Sequence, residues 1–317
     1  MARNIAYELG GAEILYVGDG FACFKYAGKP EFVARLPFIN NSFAVITKYR
    51  GGGMTFEKMV RGAAKKTFRQ AVDGRSFRVR FSMENQFVKV PVNVLEMAEW
   101  AISKNCEMGV DRMRPGCEFW FIIRRDGPAY FGQLLTKRHD KRGGAALNSG
   151  ELRPELACLL CLDHVFDAST VVCDPYAGYG AIPLHIQRQC KYKTMYVNDR
   201  DAGLVGRLKK TALGRGSGVV ITCGDAVDLR HIAAGSVDLV VTDPPWGYVG
   251  KYGDIPDFYR RALAELKRIV KEEGEIVLLT GIPAVLTGAA KHSKLKVRSR
   301  RNILVNGKKA AVFTLHK

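Results

Sequence analysis

The chain has 317 residues, room for two domains of ordinary size, and its 47% hydrophobic and 25% charged content belong to a globular protein. No run reaches the ~18 consecutive apolar residues of a membrane span, and the first twenty residues carry Arg3, Glu8, Glu13 and Asp19 without a signal-peptide core, so the expected setting is cytoplasmic with no membrane partner. A formal net charge of +18 points to a polyanionic partner, nucleic acid first.

Residues 1–45 read as a small subdomain of their own. Residues 55–72 predict an amphipathic helix, with Phe56, Met59, Val60 and Ala63 inward and Lys58, Lys65, Lys66 and Arg69 on its other faces. Phe77, Val79 and Phe81 alternate with Arg78 and Arg80, which is the pattern of a half-buried strand with a basic outer face. A second helix is predicted over residues 92–103, and a hairpin over 119–124 and 130–135 around an Asp126-Gly127 turn. The stretch from Lys137 and Arg138 to Gly144 is basic, glycine-ended and without hydrophobic period. It reads as an exposed linker and places a boundary near residue 145.

Beyond it the pattern is regular. A helix is expected over residues 151–164, then short apolar strands at 171–173, 195–197, 219–221, 237–241 and 276–279. Helices are expected at 181–189 and 256–271, the second with Phe258, Ala262, Leu266 and Ile269 on one stripe. Residues 302–305 and 310–315 flank an Asn306-Gly307 turn, a hairpin signal. Fully apolar strands alternating with helices predict an α/β domain whose parallel sheet is covered on both faces. Cys158 and Cys161 stand three apart on a predicted helix, but no second pair or His cluster completes a zinc set. They are expected to be core thiols, and no metal is expected.

Three strand ends carry a coherent chemistry. Asp174-Pro175-Tyr176-Ala177-Gly178-Tyr179-Gly180 follows the first strand of this half, and Gly178 and Gly180 would let the backbone approach a ligand closely. Asp199, after Asn198, ends the second strand where an acidic side chain holds ribose hydroxyls. Asp225, before Ala226, follows the third, where a carboxylate can accept from an adenine amino group. A nicotinamide dinucleotide is the competing cofactor, but the tight three-glycine fingerprint is absent. Asp243-Pro244-Pro245-Trp246 ends the fourth strand. An exocyclic base amine is a poor nucleophile because its lone pair is delocalised into the ring. The Asp243 carboxylate and Pro244 carbonyl could accept its hydrogen bonds and aim it at a sulfonium methyl, with Pro245 stiffening the loop and Trp246 stacking on an extruded base.

The tetrapeptide 243–246, the glycine turn, and the runs 134–138 and 150–157 together resemble the THUMP-containing RNA methyltransferases, which include tRNA guanine-N2 methyltransferases. The resemblance implies a class I, Rossmann-like domain over residues 146–317, with a seven-stranded, mostly parallel sheet ending in an antiparallel hairpin. It also implies a ferredoxin-like subdomain over 1–45 and a THUMP-like RNA-binding α+β domain over 46–145. S-adenosylmethionine is the implied cofactor, contacted by Arg153, Pro154, Asp174, Tyr176, Ala177, Gly178, Gly180, Asn198, Asp199, Asp225, Ala226 and Asp243. RNA, tRNA foremost, is the implied partner, gripped by Lys65, Lys66, Arg69, Arg78, Arg80, Lys137, Arg138 and Lys251, and an accessory subunit is left open. Many relatives carry Tyr or Phe after the prolines and then Gly-x-Arg, whereas Trp246-Gly247-Tyr248 is followed here by Val249. Base identity therefore stays open: adenine N6 in RNA or DNA is the alternative, as is a noncatalytic RNA-binding protein with a degenerate methyltransferase fold.

Overall fold

The computed structural model describes residues 2–18, 21–49, 53–84, 86–124, 128–136, 148, 150–247, 254–305 and 307–317. The chain divides into two compact units, Met1–Ala145 and Ala146–Lys317.

The first unit opens with helix α1 (Ala2–Leu9), a hairpin of β1 (Glu13–Gly18) and β2 (Phe21–Lys25), and a short α2 (Pro30–Ala34). A six-stranded sheet follows, built from β3 (Phe43–Tyr49), β4 (Ser76–Met83), β5 (Gln86–Phe87), β6 (Gly109–Val110), β7 (Cys117–Ile123) and β8 (Ala129–Leu134). Its order is β3-β8-β7-β4-β5, with β6 alongside β4. Helices α3 (Phe56–Ala64) and α4 (Val92–Cys106) bury Met59, Val60, Ala98 and Ile102 against Phe77, Phe119, Phe121 and Phe131. The alternation along β4 holds, with Phe77, Val79 and Phe81 in this core.

The helix expected over 55–72 is corrected. Thr55 caps it as the pattern suggests, accepting the Lys58 N–H, but it ends at Ala64. Beyond that point the neighbours supply better partners than a continuing helix. Asn105 Oδ1 accepts the Phe68 N–H, Gln133 Oε1 accepts those of Ala71 and Val72, and Gln133 Nε2 donates to the Val72 carbonyl. Gln133 is wholly buried, so its amide is obliged to find such partners.

The second unit contains α5 (Pro154–Cys161), β9 (Val171–Asp174), α6 (Ala181–Gln189), β10 (Thr194–Asp199), α7 (Ala202–Lys210), β11 (Val219–Cys223) and β12 (Val237–Thr242). After these come α8 (Ile255–Ile269), β13 (Val270–Thr280), α9 (Pro283–His292), β14 (Lys296–Val305) and β15 (Lys308–His316). The seven strands are ordered β11-β10-β9-β12-β13-β15-β14. β9 to β13 pair in parallel, and β15 and β14 close the sheet antiparallel. This is the α/β, class I arrangement expected. Successive residues of one strand serve opposite faces: Cys173, Val240, Ile276 and Leu278 enter the core under α8 and α9. Val172, Val241, Val277 and Leu279 enter the core with α5 and α6. Both faces being buried is why these strands read as unbroken apolar runs.

Two boundaries shift. The helix expected over 151–164 spans only Pro154–Cys161, because Pro154 sits in its first turn and Glu151 is engaged ahead of it by the N–H groups of Asn148. β13 is longer than the 276–279 stretch, starting at Val270 directly where α8 stops. Cys158 and Cys161 are buried on the inner side of α5 and form no disulfide among the described residues.

Candidate active site

Strand order reverses between β9 and β12, so their carboxyl ends border a crevice. Asp174 closes β9 and is almost wholly buried. Its Oδ1 accepts from Thr242 Oγ1 at 2.7 Å, which ties the ends of β9 and β12 together, while its Oδ2 has no hydrogen-bond partner among the described residues. Burial, with help from the charges of Asp243 and Asp199, pushes its carboxyl up to about 7, against the Thr242 hydroxyl and the Tyr176 N–H that favour the anion.

The glycine turn is held from the neighbouring strand. Asp199 Oδ2 accepts the Gly178 N–H at 2.7 Å, its Oδ1 accepts the Asp201 N–H, and the Asn198 carbonyl accepts the Ala177 N–H. Gly178 has φ +53° and Gly180 φ +87°, a region that suits glycine. They differ in surroundings. Among the described residues, a side-chain carbon at Gly178 would meet nothing within 4 Å, whereas one at Gly180 would lie 2.5 Å from Leu208 Cδ2. Gly178 therefore opens onto free space, and Gly180 is small so that α7 can pack.

Asn198, expected at the cofactor, also braces the strand ends. Its amide donates to the Pro175 and Gly224 carbonyls and its oxygen accepts from Thr222, which locks three loops to β10. Asp225 is exposed beside buried Ala226, with Oδ1 taking the Val227 N–H. Arg153 is the N-cap residue of α5 and Pro154 its first residue. Tyr176 packs edge-on against Phe258, 5.8 Å between ring centres.

Asp243 follows β12, and Trp246 Nε1 donates to its Oδ1 at 2.8 Å. Burial raises the Asp243 carboxyl to about 7, opposed by that hydrogen bond. The indole lies over Gly281, where a side-chain carbon would come within 2.3 Å of Trp246 Cε3. Tyr259 donates its hydroxyl to the Pro245 carbonyl at 3.1 Å and contacts Thr280 Oγ1 at 3.0 Å. Sequence reasoning passed over Tyr259, Thr280 and Gly281, and gave Thr242 no role of its own. The available signal was a phenol on the apolar stripe of α8, since a buried tyrosine hydroxyl demands a partner.

The basic residues expected to grip RNA divide. Lys65, Lys66 and Arg69 are exposed. Arg78 is engaged by Glu118 at 2.5 Å, and the Arg80 guanidinium lies 4.9 Å from the centre of the half-exposed Phe87 ring. Lys137, Arg138 and Lys251 fall outside the described residues. Arg298, Arg300 and Arg301 lie on β14: Arg298 pairs with Glu275, Arg301 with Asp163, and Arg300 lies over the Phe313 ring.

Residues 142–311 match the family model for the RMKL-like methyltransferase domain, UPF0020. The chain belongs to this family. The crystal structure of TrmN from Thermus thermophilus superposes with a TM-score of 0.80 over 100% of this chain and 95% of that one, at 23% identity. A predicted N6-adenine-specific DNA methylase from Listeria monocytogenes gives 0.69 over 98% and 92%, at 14% identity. SMU.472 complexed with SAH gives 0.68 over 99% and 94%, also at 14%. No curated protein matches the chain. As an RMKL-like methyltransferase it uses S-adenosylmethionine, and its residues fit that group. Among the described residues, Gly178 leaves open the space a side chain would fill, and Asp174, Asp199, Asp225 and Asp243 are acidic groups at strand ends whose chemistry suits a cationic ligand. Asp174 Oδ2, without a partner among the described residues, suits the same ligand. No helix among the described residues is long and apolar enough to cross a membrane.

Proposed function

We propose that this methyltransferase modifies an exocyclic amine of an RNA base, guanine N2 of a tRNA foremost. The observation that carries the reading is the 243–246 loop at the switch point, with Asp243 oriented by the Trp246 N–H. S-adenosylmethionine supplies an electrophilic methyl group when bound. Asp174, Asp199 and Asp225 would hold that cofactor, with Arg153 and the turn from Tyr176 to Gly180 around it. The remaining lone pairs of Asp243 and the Pro244 carbonyl accept the two amine protons and orient the nitrogen lone pair. As nitrogen gains its fourth bond it becomes acidic, and the Asp243 carboxylate is placed to take the proton. Trp246 borders the base.

The net charge of +18 supports a nucleic-acid substrate. The Met1–Ala145 unit is proposed as the RNA-holding part, with a ferredoxin-like piece over 1–45 and a THUMP-like piece over 46–145. Lys65, Lys66 and Arg69 would contact phosphates, and Arg80 with Phe87 would offer a stacking surface. Incubation with labelled S-adenosylmethionine and unmodified tRNA transcripts, beside Asp243→Ala, tests this by nucleoside mass analysis. N2-methylguanosine that disappears in the variant is the expected product. N6-methyladenosine would move the target base, and an unlabelled RNA pool would overturn the substrate reading.

A further inference from the structure

The loop that carries Asp243 contains two successive prolines, and neither has an N–H to anchor it. It must be held by its carbonyls and side chains. The end of β13 supplies both holds. Thr280, wholly buried, accepts the Ile282 N–H at its Oγ1 and contacts the Tyr259 hydroxyl, which in turn reaches the Pro245 carbonyl. Only one proton arrangement satisfies this chain: Thr280 donates to Tyr259, and Tyr259 donates to Pro245. The next residue, Gly281, is the bed on which the Trp246 indole lies, and that indole fixes Asp243. Burial and the Asp243 charge keep the Tyr259 phenol protonated, hence a donor, far above neutral pH.

We propose that Tyr259, backed by Thr280, is a positioning residue for methyl transfer: by holding the Pro245 carbonyl it sets the direction in which Asp243 and Pro244 meet the amine. This rests on the reading of Asp243 and Pro244 as the amine's acceptors. A buried phenol needing only to be satisfied would have been served by Thr280 alone. Here the phenol is instead linked to the Pro245 carbonyl, the backbone acceptor directly after Pro244.

Tyr259→Phe keeps the ring and removes the proton. The expected result is a fall in kcat on a tRNA transcript of about 10- to 100-fold, the range for losing a preorganised contact, with KM for S-adenosylmethionine within about twofold. Thr280→Val should reproduce the loss, and Thr280→Ser, which keeps the hydroxyl, should restore the rate. A second readout is independent of substrate. In protein carrying 15N-tryptophan, the Trp246 indole N–H signal, assigned by its loss in Trp246→Phe, should shift and exchange faster in Tyr259→Phe while those of Trp100 and Trp120 stay. An unchanged kcat, or equal losses in Thr280→Ser and Thr280→Val, overturns the proposal. Should the wild type methylate no RNA, the substrate reading falls, and an unmoved Trp246 signal in Tyr259→Phe would still sink this one.

Discussion

Trp246 Nε1 donates to Asp243 Oδ1 at 2.8 Å, so an aromatic residue three positions along the loop fixes the carboxylate that faces the crevice. The hydrogen bond holds the Asp243 carboxyl below where burial alone would put it. Trp246→Phe should therefore raise that pKa and carry the acid limb of the pH–rate profile to higher pH. Loss of a hydrogen bond to a charged group costs ~1.5–3 kcal/mol, so kcat at pH 7 should fall by about tenfold or more. An acid limb that stays in place would show that Asp243 is not the group titrating.

Gly281→Ala addresses the same loop from below. The added carbon would stand 2.3 Å from Trp246 Cε3, too close for any ring to remain. Overpacking costs ~1–3 kcal/mol, and the displaced indole should release Asp243. Thermal denaturation and kcat should both fall, while the S-adenosylmethionine dissociation constant stays within about twofold. A variant with wild-type kcat would mean the loop works without its bed.

Gly178→Ala and Gly180→Ala separate binding from packing. Gly178→Ala places a methyl group in open space over the turn, with ~1–2 kcal/mol of left-handed strain. Its main effect should be a cofactor dissociation constant raised at least tenfold. Gly180→Ala carries the same strain plus a contact with Leu208 at 2.5 Å, so its thermal midpoint should drop further. Calorimetric titration beside thermal scans checks both, and the reverse ranking would misplace the cofactor.

Asp174 gives a pH signature. Its carboxyl is raised to about 7 in the fold against an unfolded value of ~3.9. The native state thus holds a proton that the unfolded chain has released. The associated stability is complete below pH ~4 and is lost as pH rises through 7, up to roughly 4 kcal/mol. Asp174→Asn, whose amide oxygen can still accept from Thr242, should be more stable than wild type at pH 8 and little different at pH 4. A cationic ligand should reverse this by drawing the proton off. Wild-type S-adenosylmethionine affinity should then rise between pH 6 and 8, with proton release seen as buffer-dependent binding enthalpy. A pH-independent stability difference between wild type and Asp174→Asn would refute the assignment.

Lys65, Lys66 and Arg69 are exposed on the segment leaving α3. Replacing all three by Gln should weaken tRNA binding across sequences and lower the salt slope of log K by about 2–3. An unchanged slope would place the phosphate grip elsewhere.

The strands β9 to β13 were legible because a sheet buried on both faces requires apolar residues at every position. The placement of Asp174, Asp199, Asp225 and Asp243 after apolar strands was legible for a related reason: the buried run ends where the strand leaves the sheet, and the carboxyl ends of parallel strands are where ligands of such sheets bind. The end of α3 was not legible. The periodic pattern runs on past Ala64, but the side chains that claim the backbone of residues 68–72 come from Asn105 and Gln133, far along the chain. The same holds for the 243–246 loop. Composition and spacing put Asp243, two prolines and Trp246 in a row, yet their orientation depends on Tyr259, Thr280 and Gly281, brought there by α8 and β13. Strand burial and strand-end polarity are local consequences of sheet geometry and leave a local pattern. Hydrogen bonds and ring contacts between segments tens of residues apart leave none, so only the tertiary structure decided how this loop is held.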